Sequence, residues 1–192
     1  IGVITNAWPD HLELHGGLER YLAAKRRLVE RTQGTLVVNR DDPGATALAA
    51  AARAARTLFV SSQTDIEDGL IIRGDELLAV DEGHGEALGA WRPPAWAHPT
   101  CALLACAAAI SCGVDPHSAA SWLRDVPSLV HRMRPVATID GVRIIDDTLA
   151  TTPAKSMAAL EQMAQGRVVL VVGGLAEMDG AAVQASDIEQ RA

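Results

Sequence analysis

The chain has 192 residues, enough for one large domain or two small ones, and 48% of them are apolar, so a sizeable core can be buried. A net charge of −7 without any basic stripe argues against nucleic acid as a partner. No apolar run approaches the roughly 20 residues that cross a bilayer and no secretory signal is recognisable, so no membrane partner is expected. Cys101, Cys106 and Cys112 are odd in number and lack a CxxC pair, which fits buried small hydrophobes in a reducing cytoplasm rather than a disulfide framework.

In chain order, "IGVIT" reads as a short apolar strand already in progress, so the chain is expected to be part of a longer protein. "PDHLELHGG" reads as a strand-to-helix loop, because Gly16-Gly17 interrupts any helix begun at His11. "GLERYLAAKRRLVERT" follows with Leu18, Tyr21, Leu22, Lys25, Leu28 and Val29 at helical spacing. "GTLVVN" is a buried strand ended by Asp41-Asp42-Pro43, "GATALAAAARAA" a helix over 44–55, and "RTLFVSS" another strand. This alternation predicts an α/β layer on a largely parallel sheet. "GLIIRGDELLAVDEG" predicts a β-hairpin turning at Gly74-Asp75. "RPPAWAHP" is a proline-rich loop, and "TCALLACAAAISCG" a helix closed by Gly113. "DPHSAASWLRDV" is a helix with Asp115 as N-cap and Pro116 at its first position.

Pro127 and "SLVHRMRP" mark a domain junction near residue 129. Beyond it, "VATIDGVRIIDD" is a hairpin turning at Asp140-Gly141, and "TPAKSMAALEQMA" a helix with Thr152 as N-cap and Pro153 at its first position. "GRVVLVVGG" predicts a fully buried strand before a glycine turn. The division is therefore 1–129 and 130–192.

Several of these residues carry chemistry. His11 and nearby acidic residues sit where open α/β sheets bind ligands, at the carboxyl end of a strand, and suit either a metal or plain solvation. Lys25, one turn after Tyr21, is either a snorkelling surface lysine or a functional one. "HRMRP" is a solvated hinge or an anion clamp, since arginine forks match phosphate oxygens. In "DDTLATTP", helix capping accounts for Thr152-Pro153 but not for Asp146-Asp147.

The order of "TNxxPDHLELHG…YLAAK", "VVNRDDP", "HRM", "IDDTLATTPAKSMAAL" and "VVLVVGG" along the chain resembles the Mur ligases, and within them the glutamate-adding branch. The resemblance implies part of a central ATPase domain followed by part of a Rossmann-like C-terminal domain. It implies an ATP-dependent peptide ligase of peptidoglycan synthesis, acting in the bacterial cytoplasm, with no nucleic-acid or membrane partner and monomeric when intact. Those substrates are UDP-N-acetylmuramoyl-L-alanine and glutamate, joined through an acyl phosphate. His11 matches a magnesium-binding histidine, and Lys25 a lysine that carbon dioxide carbamylates into an oxygen donor at that metal. Carbamylation turns a repelling cation into the hard oxygen ligand magnesium prefers. Tyr21 is then expected to line the substrate pocket. Arg132 matches an arginine on the ATP phosphates, Asp147 an aspartate on the ribose, and Thr151 a threonine near the incoming glutamate. His98 is the retained part of a nucleotide-side motif in which Pro99 and Ala102 stand where asparagines are usual. Leu175 and Glu177 stand where an aspartate and a lysine are usual. A relative adding L-glutamate or another amino acid, and a noncatalytic binding homologue, are the competing readings. The 192 residues contain no G-x-x-x-x-G-K-[ST] phosphate loop, so by themselves they are expected not to turn over ATP.

Overall fold

The structure is a computed structural model that describes residues 1–91, 97–127, 129–163 and 166–173. It divides into two compact units, Ile1–Pro127 and Ser128–Ala192.

The first unit is built on a six-stranded sheet. Its strands are β1 (Gly2–Ile4), β2 (Thr35–Asn39), β3 (Arg56–Ser61), β4 (Gly69–Arg73), β5 (Glu76–Asp81) and β6 (His84–Ala90), lying side by side in chain order. The first four are parallel, with Val3 opposite Val37 and Val37 opposite Leu58. β5 and β6 return antiparallel, so the sheet is mixed. β2 is buried on both faces, as its unbroken "LVV" requires. Leu36 and Val38 point into one cluster with Ile4, Val29 and Ala45, and Val37 points into the other with Val60, Leu70, Leu103 and Leu104.

Helices cover the two faces. α2 (Leu18–Arg31) contributes Val29 and α3 (Pro43–Ala49) contributes Ala45 to the first cluster. α4 (Pro99–Ser111) fills the second with small side chains, including Ala102, Cys106 and Ala107. Burial pushes the Cys106 thiol up to about 11, which leaves it an inert core residue. α5 (Pro116–Trp122) starts with the expected Asp115 cap on the Ser118 N–H, 2.8 Å, and Pro116 at the first position.

Several expectations need correction. The stretch after His11 is not all loop: Leu12–His15 forms a single turn, α1, closed by Gly16 at φ 70. The two glycines stop that turn and start α2, which explains why both are needed. α3 ends at Ala49 rather than running to residue 55, because β3 must begin at Arg56 to pair with Thr35. β6 has no counterpart among the predicted elements. Its "HGEALGA" buries only Leu88, as an edge strand with little apolar pattern. The signal that could have found it is Glu82-Gly83, both at positive φ (48 and 78), a two-residue hairpin turn. Gly69 is also obligatory: at φ 135, a Cβ there would run into the Phe59 carbonyl of the neighbouring strand.

The second unit contains a hairpin, β7 (Arg134–Ile139) and β8 (Val142–Asp146), turning at Asp140-Gly141 with both residues at positive φ. α6 (Pro153–Gln162) follows, with Thr152 at its N-cap but without a side-chain cap bond. The expected buried strand over "RVVLVVG" is absent. Residues 167–173 have no regular structure, and Val169 and Val171 are 89% and 90% exposed. A strand forms only against an edge that takes its backbone hydrogen bonds, and among the described residues of this unit none does so. Gly174, Leu175 and Glu177 lie outside the described residues, as do 92–96 of the proline-rich loop.

Among the described residues, no helix is long and apolar enough to cross a membrane.

The end of β2 fastens its neighbours. Asn39 Nδ2 donates to the Thr5 carbonyl (2.8 Å). Buried Asp42 Oδ1 accepts from Ala45 N–H (2.6 Å), capping α3, and from Ala7 N–H (3.1 Å) in the loop after β1. Asp41 accepts from the Ser61 hydroxyl (2.5 Å) and from the Ser62 N–H (2.8 Å) after β3. Asp42→Ala removes a cap and leaves Ala7 N–H without its acceptor. It is expected to destabilise the chain by about 2 kcal/mol, with Asp42→Asn recovering part of the loss, as read from urea-unfolding midpoints.

Candidate functional site

In the first unit, the loop from Thr5 to His11 leaves the carboxyl end of β1. Besides the bonds from Asn39 and Asp42, it is held by the Tyr21 hydroxyl, which donates to the Trp8 carbonyl at 2.6 Å. At its end His11 adopts a left-handed backbone, φ 54 and ψ 41, which is uncommon for a residue with a Cβ. Its ring lies between two carboxylates, with Nε2 3.7 Å from Asp10 and Nδ1 3.5 Å from Glu13.

Tyr21 joins this loop to α2. Its buried ring takes the edge of His15 at 5.3 Å and the Lys25 ammonium at 4.9 Å from its centroid. Lys25 is half-buried on that ring, with its stem covered and its ammonium over the aromatic face, a placement open to both a snorkelling and a functional lysine. The Tyr21 hydroxyl is spent on the chain's own backbone, which makes Tyr21 a clamp for the His11 loop more than a group aimed at a ligand. No sequence pattern signals this bond, because its acceptor is a carbonyl and carries no residue signature.

A metal fits this arrangement only as a shared guest. Among the described residues, no group of three or more His, Cys, Asp and Glu side chains is arranged to hold one. Magnesium tolerates that, since it keeps several waters and takes few protein donors beside phosphate oxygens.

His98 occupies the N-cap position of α4 without a side-chain cap bond. Pro99 takes the first helical position, where a missing N–H costs nothing, and Ala102 is buried in the core. Both departures from the expected asparagines therefore serve the helix.

In the second unit, "HRM" lies along "DDTL". His131 Nδ1 is 2.6 Å from Asp146 Oδ2, and Arg132 Nη1 is 3.6 Å from Asp147 Oδ1. Met133 N–H donates to Asp147 Oδ1 (3.0 Å), and Leu149 N–H to the His131 carbonyl (3.1 Å). Arg132 and Asp147 are largely covered, with side chains 20% and 13% exposed. Asp147 Oδ2 is buried and has no hydrogen-bond partner among the described residues. Such an orphan acceptor suits a ligand hydroxyl. Thr151 Oγ1 accepts from Lys155 Nζ at 3.0 Å, one helical turn on. The sequence pattern marks Arg132, Asp147 and Thr151, but not the His131–Asp146 pair or Lys155.

Residues 1–80 match the Mur ligase middle domain. The chain is 36% identical over 183 residues to a UDP-N-acetylmuramoylalanine–D-glutamate ligase of Pelotomaculum thermopropionicum, covering 91% of this chain and 39% of that protein. It is 33% identical over 189 residues to the ligase of the same name from Chelativorans sp., covering 94% and 39%. The chain thus spans about two fifths of the length of these relatives. Its fold is similar to that of MurF from Acinetobacter baumannii, with a TM-score of 0.65 at 19% identity over 86% of this chain and 37% of that one. It is also similar to a pseudomurein peptide ligase type C from Methanothermus fervidus, with a TM-score of 0.61 at 16% identity over 85% and 41%.

The His131–Asp146 contact makes a pH prediction. The hydrogen bond from His131, then those from the Thr148 N–H and hydroxyl, lower the Asp146 carboxyl from 3.8 to about 2. A carboxyl depressed on folding stabilises the fold above its unfolded value, and that contribution is lost as the pH falls through the folded one. The thermal midpoint is expected to drop between about pH 4 and pH 2, and Asp146→Asn to flatten that part of the profile.

Proposed function

Because the chain belongs to the Mur ligase family, we propose that it is part of an ATP-dependent ligase that adds D-glutamate to UDP-N-acetylmuramoyl-L-alanine through an acyl phosphate. The observation that carries this reading is the 36% identity to a ligase of that name over nine tenths of the chain. On this reading the protein works in the bacterial cytoplasm, as a monomer, on soluble substrates.

Each unit has a part in it. His11 and Lys25, the latter as its carbamate, hold magnesium, which when bound neutralises phosphate charge. Tyr21 keeps the His11 loop and the Lys25 stem in register. The Lys25 ammonium on the Tyr21 ring is the form that precedes carbamylation. Arg132 binds ATP phosphates, and the orphan Oδ2 of Asp147 accepts from the ribose hydroxyls. His98 stands at the nucleotide side. Thr151, with its hydroxyl already fixed by Lys155, meets the incoming glutamate. Lys155 supports a carboxylate-bearing substrate, since it brings a cation to the same turn.

Two substitutions test the reading in the intact protein, assayed for phosphate release with both substrates and ATP. Lys25→Ala is expected to abolish most turnover, with partial recovery in added acetate, a short carboxylate that fills the vacated oxygen site. Near-normal turnover of this variant would remove the metal-side assignment. Arg132→Ala is expected to raise the ATP KM by roughly 10- to 100-fold, the loss of one charge-assisted contact of about 1.5–3 kcal/mol. An unchanged KM would leave "HRM" as a hinge.

A further inference from the structure

In the second unit, Arg132 stands between two residues of unusual backbone. His131 has φ 64 and Met133 has φ 46, both left-handed and both bearing a Cβ. Such conformations persist only where the surroundings over-determine them. Here the fixing contacts can be named. The Met133 N–H is bound by Asp147, and its side chain is buried. His131 is bound at both ends: its carbonyl accepts from Leu149 N–H, and its ring meets Asp146 Oδ2 at 2.6 Å.

Asp146 is itself locked. Its other oxygen, Oδ1, accepts from the Thr148 N–H at 3.0 Å and the Thr148 hydroxyl at 2.9 Å. The carboxylate is held in place by these two bonds, independently of His131. It dictates where the imidazole sits. The Thr148 contacts are local, two residues on, whereas the ring comes from 15 residues away. The short contact to His131 is the one that the local turn leaves unexplained.

We propose that His131 and Asp146 are positioning residues that hold the left-handed "HRM" turn and thereby aim the Arg132 guanidinium at a phosphate. The proposal rests on the reading of Arg132 as an ATP contact. Its consequence is that a residue touching no substrate sets the ATP requirement. Asp147, by contrast, serves twice, on Met133 N–H with Oδ1 and toward the nucleotide with Oδ2.

The experiment measures ATP KM and kcat of the intact protein for Asp146→Ala, His131→Ala, the double variant, Asp146→Asn and Arg132→Ala. Thermal midpoints are recorded for each. The Ala single variants are expected to raise ATP KM five- to tenfold with kcat changed less than twofold. The double variant should be no worse than either single, because both act through one contact. Asp146→Asn keeps its oxygen for Thr148 and offers its amide N–H to Nδ1 of a neutral His131 ring, and should return KM to within about threefold of the parent. If the Asp146→Ala protein fails to fold, the His131→Ala and Asp146→Asn arms carry the same comparison. Unchanged ATP KM in these variants, beside a raised KM in Arg132→Ala, would overturn the positioning role and leave the ATP contact standing. Unchanged KM in Arg132→Ala as well would remove both. A fall in kcat and midpoint without a KM change would assign the pair to the turn's stability alone.

Discussion

What the first unit presents at the carboxyl edge of its sheet depends on one short segment, Asn39 to Asp42. A parallel strand ends with free backbone groups and a loop that has no fixed direction. Here three side chains from the end of β2 take that freedom away on both sides. Asn39 and Asp42 hold the loop after β1, and Asp41 holds the loop after β3. Asp42 also caps α3, so the same carboxylate sets the start of the helix that covers Leu36 and Val38. A central strand, buried on both faces, is the most rigid anchor available in such a sheet. Placing the fasteners there passes that rigidity to loops that otherwise have few buried contacts.

The second fastening comes from α2. Tyr21 is one of two buried residues on that helix, the other being Val29 in the core. Val29 fixes the helix to the sheet, and Tyr21, two turns earlier, reaches the loop. The His11 backbone is thus determined from two directions, which is what a left-handed residue with a Cβ requires. In "HRM" the left-handed residues are themselves bound by carboxylates, Met133 through its N–H and His131 through its ring. In both places unusual backbone accompanies side chains with chemistry.

Much of this architecture was legible in the sequence because it follows short-range rules. The turns at Gly74-Asp75 and Asp140-Gly141, the cap of Asp115-Pro116 and the buried run "LVV" depend on residues next to one another. The misses are of another kind. Val168 to Val172 reads as a strand by composition, yet composition cannot supply a partner edge. β6 reads as loop because pairing with β5, not burial, makes it a strand. At the candidate site, Arg132, Asp147 and Thr151 were recognised as types in a pattern. The bond from Tyr21 to Trp8 was invisible, since any residue can offer a carbonyl. The His131–Asp146 contact spans 15 positions and a hairpin, so only the pairing of β7 with β8 brings it about.

The acidic balance of the chain raises a last point about its cations. On the proposed reading, a protein of net charge −7 that takes a polyphosphate has to keep a few cations uncommitted. A tight bidentate pair would commit Arg132 fully, and its release would then oppose ligand binding. The observed pair stops short of that. A separation of 3.6 Å through a single nitrogen leaves the guanidinium most of its donors. Asp147, for its part, spends Oδ1 on a backbone N–H and keeps Oδ2. Lys25 rests on an aromatic face, which holds an ammonium without any carboxylate to displace. The full carboxylate bond at the site goes to His131, which stands one place before Arg132. Strong contacts are thus spent on the neighbours that set direction, and weak ones on the groups that must exchange partners.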